Sequence, residues 1–175
     1  NAFPSDQRHL LEALCGHIAL AVQNARAFGR EREQRERMTR DAKEARFIQQ
    51  SLLPKASPFV PGVIFEALSV PAGEVGGDWY DYIDLGNDRW GVVLADVSGK
   101  GMGAALLMSA TRGILRSLAT TSQTPSEVLS RLNCVLKDDF PSGRYVTMIY
   151  GIFDAAARTF TFANAGHPHP VEIHE

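Results

Sequence analysis

A long proline-free stretch, residues 5–53, sets the strongest limit on how this chain can fold. Gly16 and Gly29 are its only glycines, and its apolar side chains recur at alternating spacings of three and four residues, the period of an α-helix. The residues that keep this spacing are Leu11, Leu14, Ile18, Ala21, Ala25 and Phe28. Pro54 is expected to end the helix. The sequence therefore predicts one helix of a length that usually bridges two parts of a protein.

The middle of the predicted helix is charged. Acidic and basic residues are mixed over residues 31–46, with partners four positions apart such as Glu31 and Arg35. Each such pair stabilises a helix by only about 0.3 kcal/mol. A second set of apolar residues, Met38, Ala45, Ile48 and Leu52, lies on a shifted helical phase. Two interpretations stay open: a solvated surface helix, and an inter-domain coiled-coil connector.

Composition indicates a globular protein but names no partner. Hydrophobic residues occupy 45% of the 175 positions, and a formal net charge of -2 favours neither nucleic acid nor a membrane surface. No apolar run approaches the roughly 20 residues of a membrane span. Cys15 and Cys134 show no metal-ligand or redox spacing, which favours a reducing cytoplasm. A start at Asn1 without an initiator methionine suggests a piece of a longer protein.

Beyond Pro54 the pattern changes to short alternating segments and two helices. The predicted strands cover residues 63–70, 79–85, 90–96, 145–153, 159–164 and 170–173, and the predicted helices cover residues 102–119 and 125–136. The strand at 90–96 is almost wholly apolar and is expected to be buried on both faces. Thr124 and Glu127 form a capping box around Pro125. Consecutive helices between groups of strands predict an α+β fold.

Two aspartates stand where a predicted strand meets a glycine-containing loop. Asp78 follows Gly76 and Gly77, and Asp96 ends an apolar strand and opens the segment Asp96-Val97-Ser98-Gly99-Lys100-Gly101. Carboxylates at such loops suit hard cations, which prefer oxygen ligands. Two cations that share a hydroxide are a common means of attacking a phosphoryl group. Two carboxylates alone, however, are too few to hold two ions well.

Other interpretations compete for these residues. Asp96 and Ser98 are also residue types that cap a helix after a strand. A phosphate-binding loop of the Walker A type is disfavoured because no Ser or Thr follows Lys100, which is interpreted as a solvated turn residue. The three histidines near residue 170 are separated by prolines and lack partners at zinc-ligand spacing. A cyclic-dinucleotide cyclase is disfavoured because Trp79-Tyr80 follows Gly-Gly-Asp where that class has Glu-Phe.

Further motifs occur in a fixed order over residues 47–175. They are Gln50-Ser51-Leu52-Leu53-Pro54, Glu74-Val75-Gly76-Gly77-Asp78, Tyr80-Asp81, Asp96-Val97-Ser98-Gly99-Lys100-Gly101, Leu132-Asn133, Thr147 and Asn164-Ala165-Gly166-His167. Each motif is weak alone, but the ordered set is specific. It resembles the SpoIIE-type branch of the metal-dependent PPM protein phosphatases, which act on regulators of sigma factors. Residues 1–30, with Asn24-Ala25-Arg26, resemble the closing helix of a GAF-type sensor domain.

The resemblance implies a fold and a reaction. The implied segments are the end of a GAF-like domain over 1–30, a helical linker over 31–54 and the N-terminal part of a PPM-type phosphatase domain over 55–175. The implied fold is an α+β antiparallel sandwich flanked by helices and incomplete at the C-terminus. A centre of two Mn²⁺ or Mg²⁺ ions is expected between the sheets, with Asp78, Asp96 and the Val97 backbone carbonyl as ligands. The implied reaction is hydrolysis of phosphoserine or phosphothreonine by a water that the ions activate.

The family's remaining metal-binding aspartates would lie beyond Glu175. The chain of residues 1–175 by itself is therefore expected to bind the second ion poorly and to have little activity. The implied partners are a phosphorylated anti-anti-sigma-like protein and a second copy of the chain through the linker helix, without nucleic acid or membrane. The alternative is a catalytically inactive dimeric signalling module, for which acidic residues after Glu175 would be the discriminating observation.

Overall fold

The computed structural model describes residues 5–71 and 73–173. Its elements in chain order are α1 Ser5–Leu52, β1 Trp79–Asp84, β2 Arg89–Val97, α2 Met102–Ala119, α3 Pro125–Asp139, β3 Val146–Asp154 and β4 Thr159–Ala165. The chain divides into two compact units, residues 1–41 and 42–175. The long helix predicted from the proline-free stretch is confirmed. None of the described helices is both long and apolar enough to cross a bilayer.

The first unit consists of the N-terminal part of α1. Its described apolar side chains are exposed, Phe28 to 71%. In its charged part Arg35 pairs with Glu31 at 3.3 Å and Arg32 pairs with Glu36 at 2.9 Å, and all four side chains are well exposed. Such exposed pairs add only tenths of a kcal/mol. This part of the helix therefore gains its stability from the helical backbone and not from a core of its own.

The second unit is built on one four-stranded antiparallel sheet in the order β1-β2-β3-β4. Helices α2 and α3 connect β2 to β3 and pack on one face of the sheet, where Trp79, Val93, Met108 and Tyr150 belong to the buried core. The predicted capping box is confirmed in one half: the Thr124 side chain accepts a hydrogen bond from the Glu127 N–H at the start of α3, whereas the Glu127 carboxylate accepts from the Gln123 N–H and not from that of Thr124. This arrangement confirms the α+β class.

The strand β2 is not buried on both faces, so that expectation was wrong. Its buried and accessible residues alternate, and Leu94 is 51% exposed. The reason is that α2 and α3 cover only one face of the sheet. On the other face the Phe65 ring makes edge contacts with Tyr82 and Phe153, at centroid distances of 5.7 and 5.6 Å. The described residues contain this single sheet and not the second sheet that the resemblance implied.

Two predicted strands do not form. In the segment 63–70 only Val63 makes an isolated bridge, to Val60, and Ile64 and Leu68 are each 86% exposed. The segment 170–173 is also irregular. Both segments alternate in polarity, but a strand also needs a neighbour that accepts its hydrogen bonds. No described residue supplies a ladder to either segment.

Candidate metal centre

The pairing of β1 with β2 brings the two predicted ligand residues together. Trp79 lies opposite Ala95 at the end of the ladder, and just beyond it the Val97 N–H donates to the Gly77 carbonyl at 3.4 Å. Asp78 and Asp96 occupy the positions between these two contacts, so they are cross-strand neighbours. Side chains alternate along strands, and both aspartates are exposed while Trp79 and Ala95 are buried beneath the helices. The two carboxylates therefore meet on the face of the sheet that the helices leave open.

Gly77 allows the two strands to approach each other this closely. A Cβ atom at this position would lie 2.5 Å from the Val97 carbonyl oxygen and 3.2 Å from the Val97 Cβ. Only a residue without a side chain fits such a gap. The structure thus places the Val97 backbone beside the loop that carries Asp78, in accord with its predicted position near the centre. Its role as a ligand stays a prediction.

Replacement of Gly77 by Ala is expected to separate the two aspartates, because the new methyl group would collide with backbone atoms that cannot rotate away. We expect a loss of about 1–3 kcal/mol in the free energy of unfolding, as for other overpacked sites, and weaker Mn²⁺ binding. Urea unfolding and a Mn²⁺ titration measure the two effects.

The matched control for this substitution is Gly103→Ala. Gly103 lies within α2, and a Cβ there would have no neighbour within 4 Å. Alanine in a helix is favoured over glycine by up to about 1 kcal/mol, so this variant is expected to be at least as stable as the parent protein. Equal stability of the two variants would show that the backbone around Gly77 adapts to the methyl group. The close approach of Gly77 to Val97 would then have no structural role.

The electrostatics of the pair favour a cation. Partial desolvation raises the pKa of Asp96 above its usual value, and the hydrogen bond and negative charge of Asp78 raise it further, whereas nearby His167 lowers it. Two carboxylates that share a site repel each other when both are ionised. A divalent cation between them would remove that repulsion, and their oxygen atoms are the donors that Mg²⁺ and Mn²⁺ prefer. The donor set therefore fits part of a hard-cation site.

The fit is partial within the described part of the chain. There, no group of three or more His, Cys, Asp or Glu side chains is close enough to hold a metal ion. Asp78, Asp96 and a backbone carbonyl are fewer ligands than such an ion takes in a dedicated protein site. Any further ligands must come from water, from substrate or from groups that the structure does not describe.

The helix-capping alternative for Asp96 and Ser98 is wrong. The N-cap of α2 is Gly101, and no side chain caps this helix. Ser98 instead joins the chain before β3: its Oγ accepts a hydrogen bond from the Tyr145 N–H at 2.9 Å, and its carbonyl accepts one from Arg144 at 2.6 Å. The Asp96 carboxylate is thus not used to start the helix and is available to the centre.

Comparison with known proteins identifies the family of the chain. Residues 86–175 match the family described as Stage II sporulation protein E (SpoIIE). The chain belongs to the SpoIIE family.

Curated relatives point in the same direction. The chain is 36% identical over 120 residues to phosphoserine phosphatase RsbU of Bacillus subtilis, which covers 69% of this chain and 36% of the relative. It is 29% identical over 101 residues to phosphoserine phosphatase RsbP of the same organism, covering 55% of this chain and 25% of the relative. The chain therefore spans about a third or less of the length of these two relatives.

A solved structure supports the fold. The crystal structure of the RsbU and RsbW domains of a Mycobacterium tuberculosis protein superimposes with a TM-score of 0.50 at 33% sequence identity. The match covers 57% of this chain and 27% of that one. The sheet and helices described above are thus those of an RsbU-like domain in the SpoIIE family.

Two residues without a predicted role, Thr147 and His167, extend the row of polar side chains across the sheet. Thr147 of β3 lies opposite Asp96, and a hydrogen bond of 2.9 Å joins its Oγ1 to Nδ1 of His167. Both residues belong to motifs that resemble the family, but the sequence did not place them beside the aspartates. The strand register supplies that placement.

The end of α1 holds the loop that precedes Asp78. The Gln49 side chain donates through Nε2 to the Gly76 carbonyl at 2.7 Å and accepts from the Gly76 N–H at 3.1 Å. Gln49 is only 8% exposed, and Arg46 approaches Glu74 at 3.6 Å. Sequence reasoning missed Gln49, which directly precedes the recognised Gln50-Ser51-Leu52-Leu53-Pro54 motif. A single amide side chain thus satisfies both backbone groups of Gly76.

A third aspartate of β1 has a different role. Asp81 faces α2 and is almost completely buried, with Arg112 and Arg116 at 3.0 and 2.8 Å from its Oδ2. The two arginines compensate its charge beneath the sheet. Asp81 is therefore a structural residue of this SpoIIE-family domain and is separate from the centre on the opposite face.

Proposed function

We propose that this chain is part of a metal-dependent protein phosphatase that hydrolyses phosphoserine or phosphothreonine on a regulatory protein. The observation that carries the proposal is the cross-strand contact of Asp78 and Asp96 beside the Val97 carbonyl, in a chain of the SpoIIE family. Its relatives RsbU and RsbP bear the name phosphoserine phosphatase. A site for hard cations is what that chemistry requires.

The residues of the chain have defined tasks in this proposal. Asp78 and Asp96 hold Mn²⁺ or Mg²⁺ through their carboxylates, the Val97 carbonyl supplies a neutral oxygen, and Gly77 keeps these groups close. When bound, such ions lower the pKa of a water molecule and neutralise the oxygens of a phosphoryl group. The centre is on an open face of the sheet, which suits a substrate that is itself a folded protein.

The substrate is proposed to be a phosphorylated protein of the anti-anti-sigma type, as the family resemblance implies. The test is release of inorganic phosphate from such a protein by the full-length phosphatase, with Mn²⁺ or Mg²⁺ and again after chelation. Release that needs the ions supports the proposal. Release that continues unchanged in a chelator would contradict it.

A second candidate is an interaction module without catalysis. It is favoured by one observation, the absence of any metal-binding group of three His, Cys, Asp or Glu side chains among the described residues. The same assay discriminates the two candidates, because an interaction module binds the phosphorylated protein and leaves its phosphate in place.

Control by an upstream sensor is proposed to act through the long helix α1. The contact that supports this is the one between Gln49 and Gly76, because it joins the end of the helix to the residues that carry Asp78. A two-state helix that makes or breaks this contact would tighten or loosen the centre. The exposed apolar residues of the first unit, among them Ile18 and Phe28, would support pairing of two chains through the helix.

Replacement of Gln49 by Ala is expected to reduce both stability and metal binding. It leaves the Gly76 N–H and carbonyl without their partner, at a cost of about 1–3 kcal/mol for buried polar groups. We expect a similar loss in the free energy of unfolding and a higher Mn²⁺ concentration for half-maximal phosphate release.

The neighbouring Gln50→Ala variant is the control, because Gln50 is exposed and has the same side chain. Surface substitutions of this kind usually change stability by no more than about 0.5 kcal/mol. If both glutamine variants respond to Mn²⁺ as the parent protein does, the proposed route from helix to centre is wrong.

A further inference from the structure

The centre continues beyond the two aspartates as a row of side chains along one end of the sheet. Asp78 of the loop before β1 neighbours Asp96 of β2, and Asp96 lies opposite Thr147 of β3. Between β3 and β4 the last pair is Met148 with Ala165. Thr147 precedes Met148, so the turn that follows β4 begins beside Thr147. Neighbouring strands are about 4.8 Å apart. All four strands thus contribute to one end of the open face.

His167 is held firmly at the far end of this row. The Asn164 side chain accepts a hydrogen bond from the His167 N–H at 2.8 Å and donates to the His167 carbonyl at 2.9 Å. Gly166 between them has φ = 72°, which a side chain would disfavour. The turn therefore fixes the backbone of His167, and Thr147 fixes its ring.

The two ring nitrogens of His167 have different surroundings. Nδ1 is joined to the Thr147 hydroxyl at 2.9 Å. No hydrogen bond to Nε2 comes from the part of the chain that the structure describes, and the residue is half-buried. An imidazole with one nitrogen anchored presents the other in a defined direction. Nε2 thus has no hydrogen-bond partner in the described part of the chain and can donate to a ligand.

The position of His167 relative to the carboxylates suggests which ligand binds there. Thr147 lies opposite Asp96 and holds the His167 ring, yet Asp78, Asp96 and His167 do not form a group that could hold one metal ion. A ligand that fits between these three side chains needs several oxygen atoms. Some would face cations at the aspartates, and others would accept a hydrogen bond from His167. A phosphoryl group has this shape and charge.

We propose that His167 contacts the substrate directly, with Nε2 donating a hydrogen bond to a phosphoryl oxygen whose neighbours face the cations at Asp78 and Asp96. Thr147 is the positioning residue that orients the ring. This inference rests on the proposed function, since it concerns the same centre, and it adds the residue that binds the phosphoryl group itself.

The test uses the full-length protein with Mg²⁺ and inorganic phosphate as the probe, followed by ³¹P NMR. In the His167→Asn variant the side-chain amide replaces Nδ1 and keeps the contact with Thr147, but no atom replaces Nε2. We expect phosphate to bind about 10-fold to 100-fold more weakly, as for loss of a hydrogen bond to a charged group, with Mg²⁺ affinity unchanged by calorimetry.

Two further variants separate binding from structure. His169 is exposed in the same turn region, so His169→Asn is expected to bind phosphate as the parent protein does. Thr147→Val leaves the imidazole but removes its anchor, and is expected to weaken phosphate binding less than His167→Asn does. The same order is expected in KM for a phosphoseryl peptide.

The outcomes distinguish this inference from the proposed function. Phosphate affinity in His167→Asn equal to that of the parent protein, or no Mg²⁺-dependent phosphate binding by the parent protein, overturns the role of His167. Phosphate binding that depends on His167 without any hydrolysis of phosphoprotein supports that role and contradicts the phosphatase proposal instead.

Discussion

Replacing either Asp78 or Asp96 by Asn is expected to lower kcat/KM for phosphate release by more than about 100-fold, the upper range for changes to residues that merely orient metal ligands. Asn has nearly the same size and keeps an oxygen that accepts hydrogen bonds, but it removes the negative charge that holds a cation. The two carboxylates contact each other across β1 and β2, so either change leaves one charge where the site needs two.

The measurement is phosphate release at increasing Mn²⁺ concentration by the full-length protein. Both variants are expected to need more Mn²⁺ and to reach a lower maximum. Asp138→Asn on the exposed side of α3 removes the same charge away from the centre and is the matched control. Full activity of both centre variants at the parent Mn²⁺ requirement would refute the assignment of the metal ligands.

Replacing Asp81 by Ala is expected to have the largest effect on stability, a loss of about 3–5 kcal/mol, which is typical when one partner of a buried ion pair is removed. Asp81 is 1% exposed. Arg116 donates to both of its carboxylate oxygens at 2.9 and 2.8 Å, and Arg112 is itself largely buried beside it. Without Asp81 the largely buried Arg112 guanidinium stays beneath the sheet without a carboxylate, whereas Arg116, whose side chain is 41% exposed, remains in part solvated.

Asp84→Ala in the same strand is the control. Asp84 is exposed, and its side chain accepts a single hydrogen bond, from the Gly86 N–H at 2.8 Å. Its loss is expected to cost no more than about 1 kcal/mol. Urea unfolding of the two variants compares the values directly, and a loss below 1 kcal/mol for Asp81→Ala would mean that the buried pair does not stabilise the fold.

Much of the local structure could be predicted because it depends on neighbours in the chain. Proline-free periodicity located α1, and the capping box located the start of α3. The strand predicted at 63–70 failed, because alternating polarity shows only that one side of a segment is apolar. Whether a strand forms depends on a hydrogen-bonding partner, which no local pattern reveals.

The candidate centre was predicted in part, because two of its residues carry a signal that is local in the sequence. Asp78 and Asp96 each stand at a strand end next to glycines, so the sequence marked both. Their ligand roles, and the binding of Mn²⁺ or Mg²⁺, stay predictions. Gln49, Thr147 and His167 received no role, since their partners lie 20 or more residues away in the sequence.

The sequence by itself therefore determined the three helices, the four strands that form and their order, and it marked the two aspartates of the centre. Only the tertiary structure decided that Asp81 faces α2 while Asp78, three residues earlier, faces the open side of the sheet. It also decided that Gln49 holds Gly76 and that Thr147 anchors His167. The physical reason is strand register: it selects which distant residues become neighbours, and a shift of one residue would turn each side chain to the opposite face.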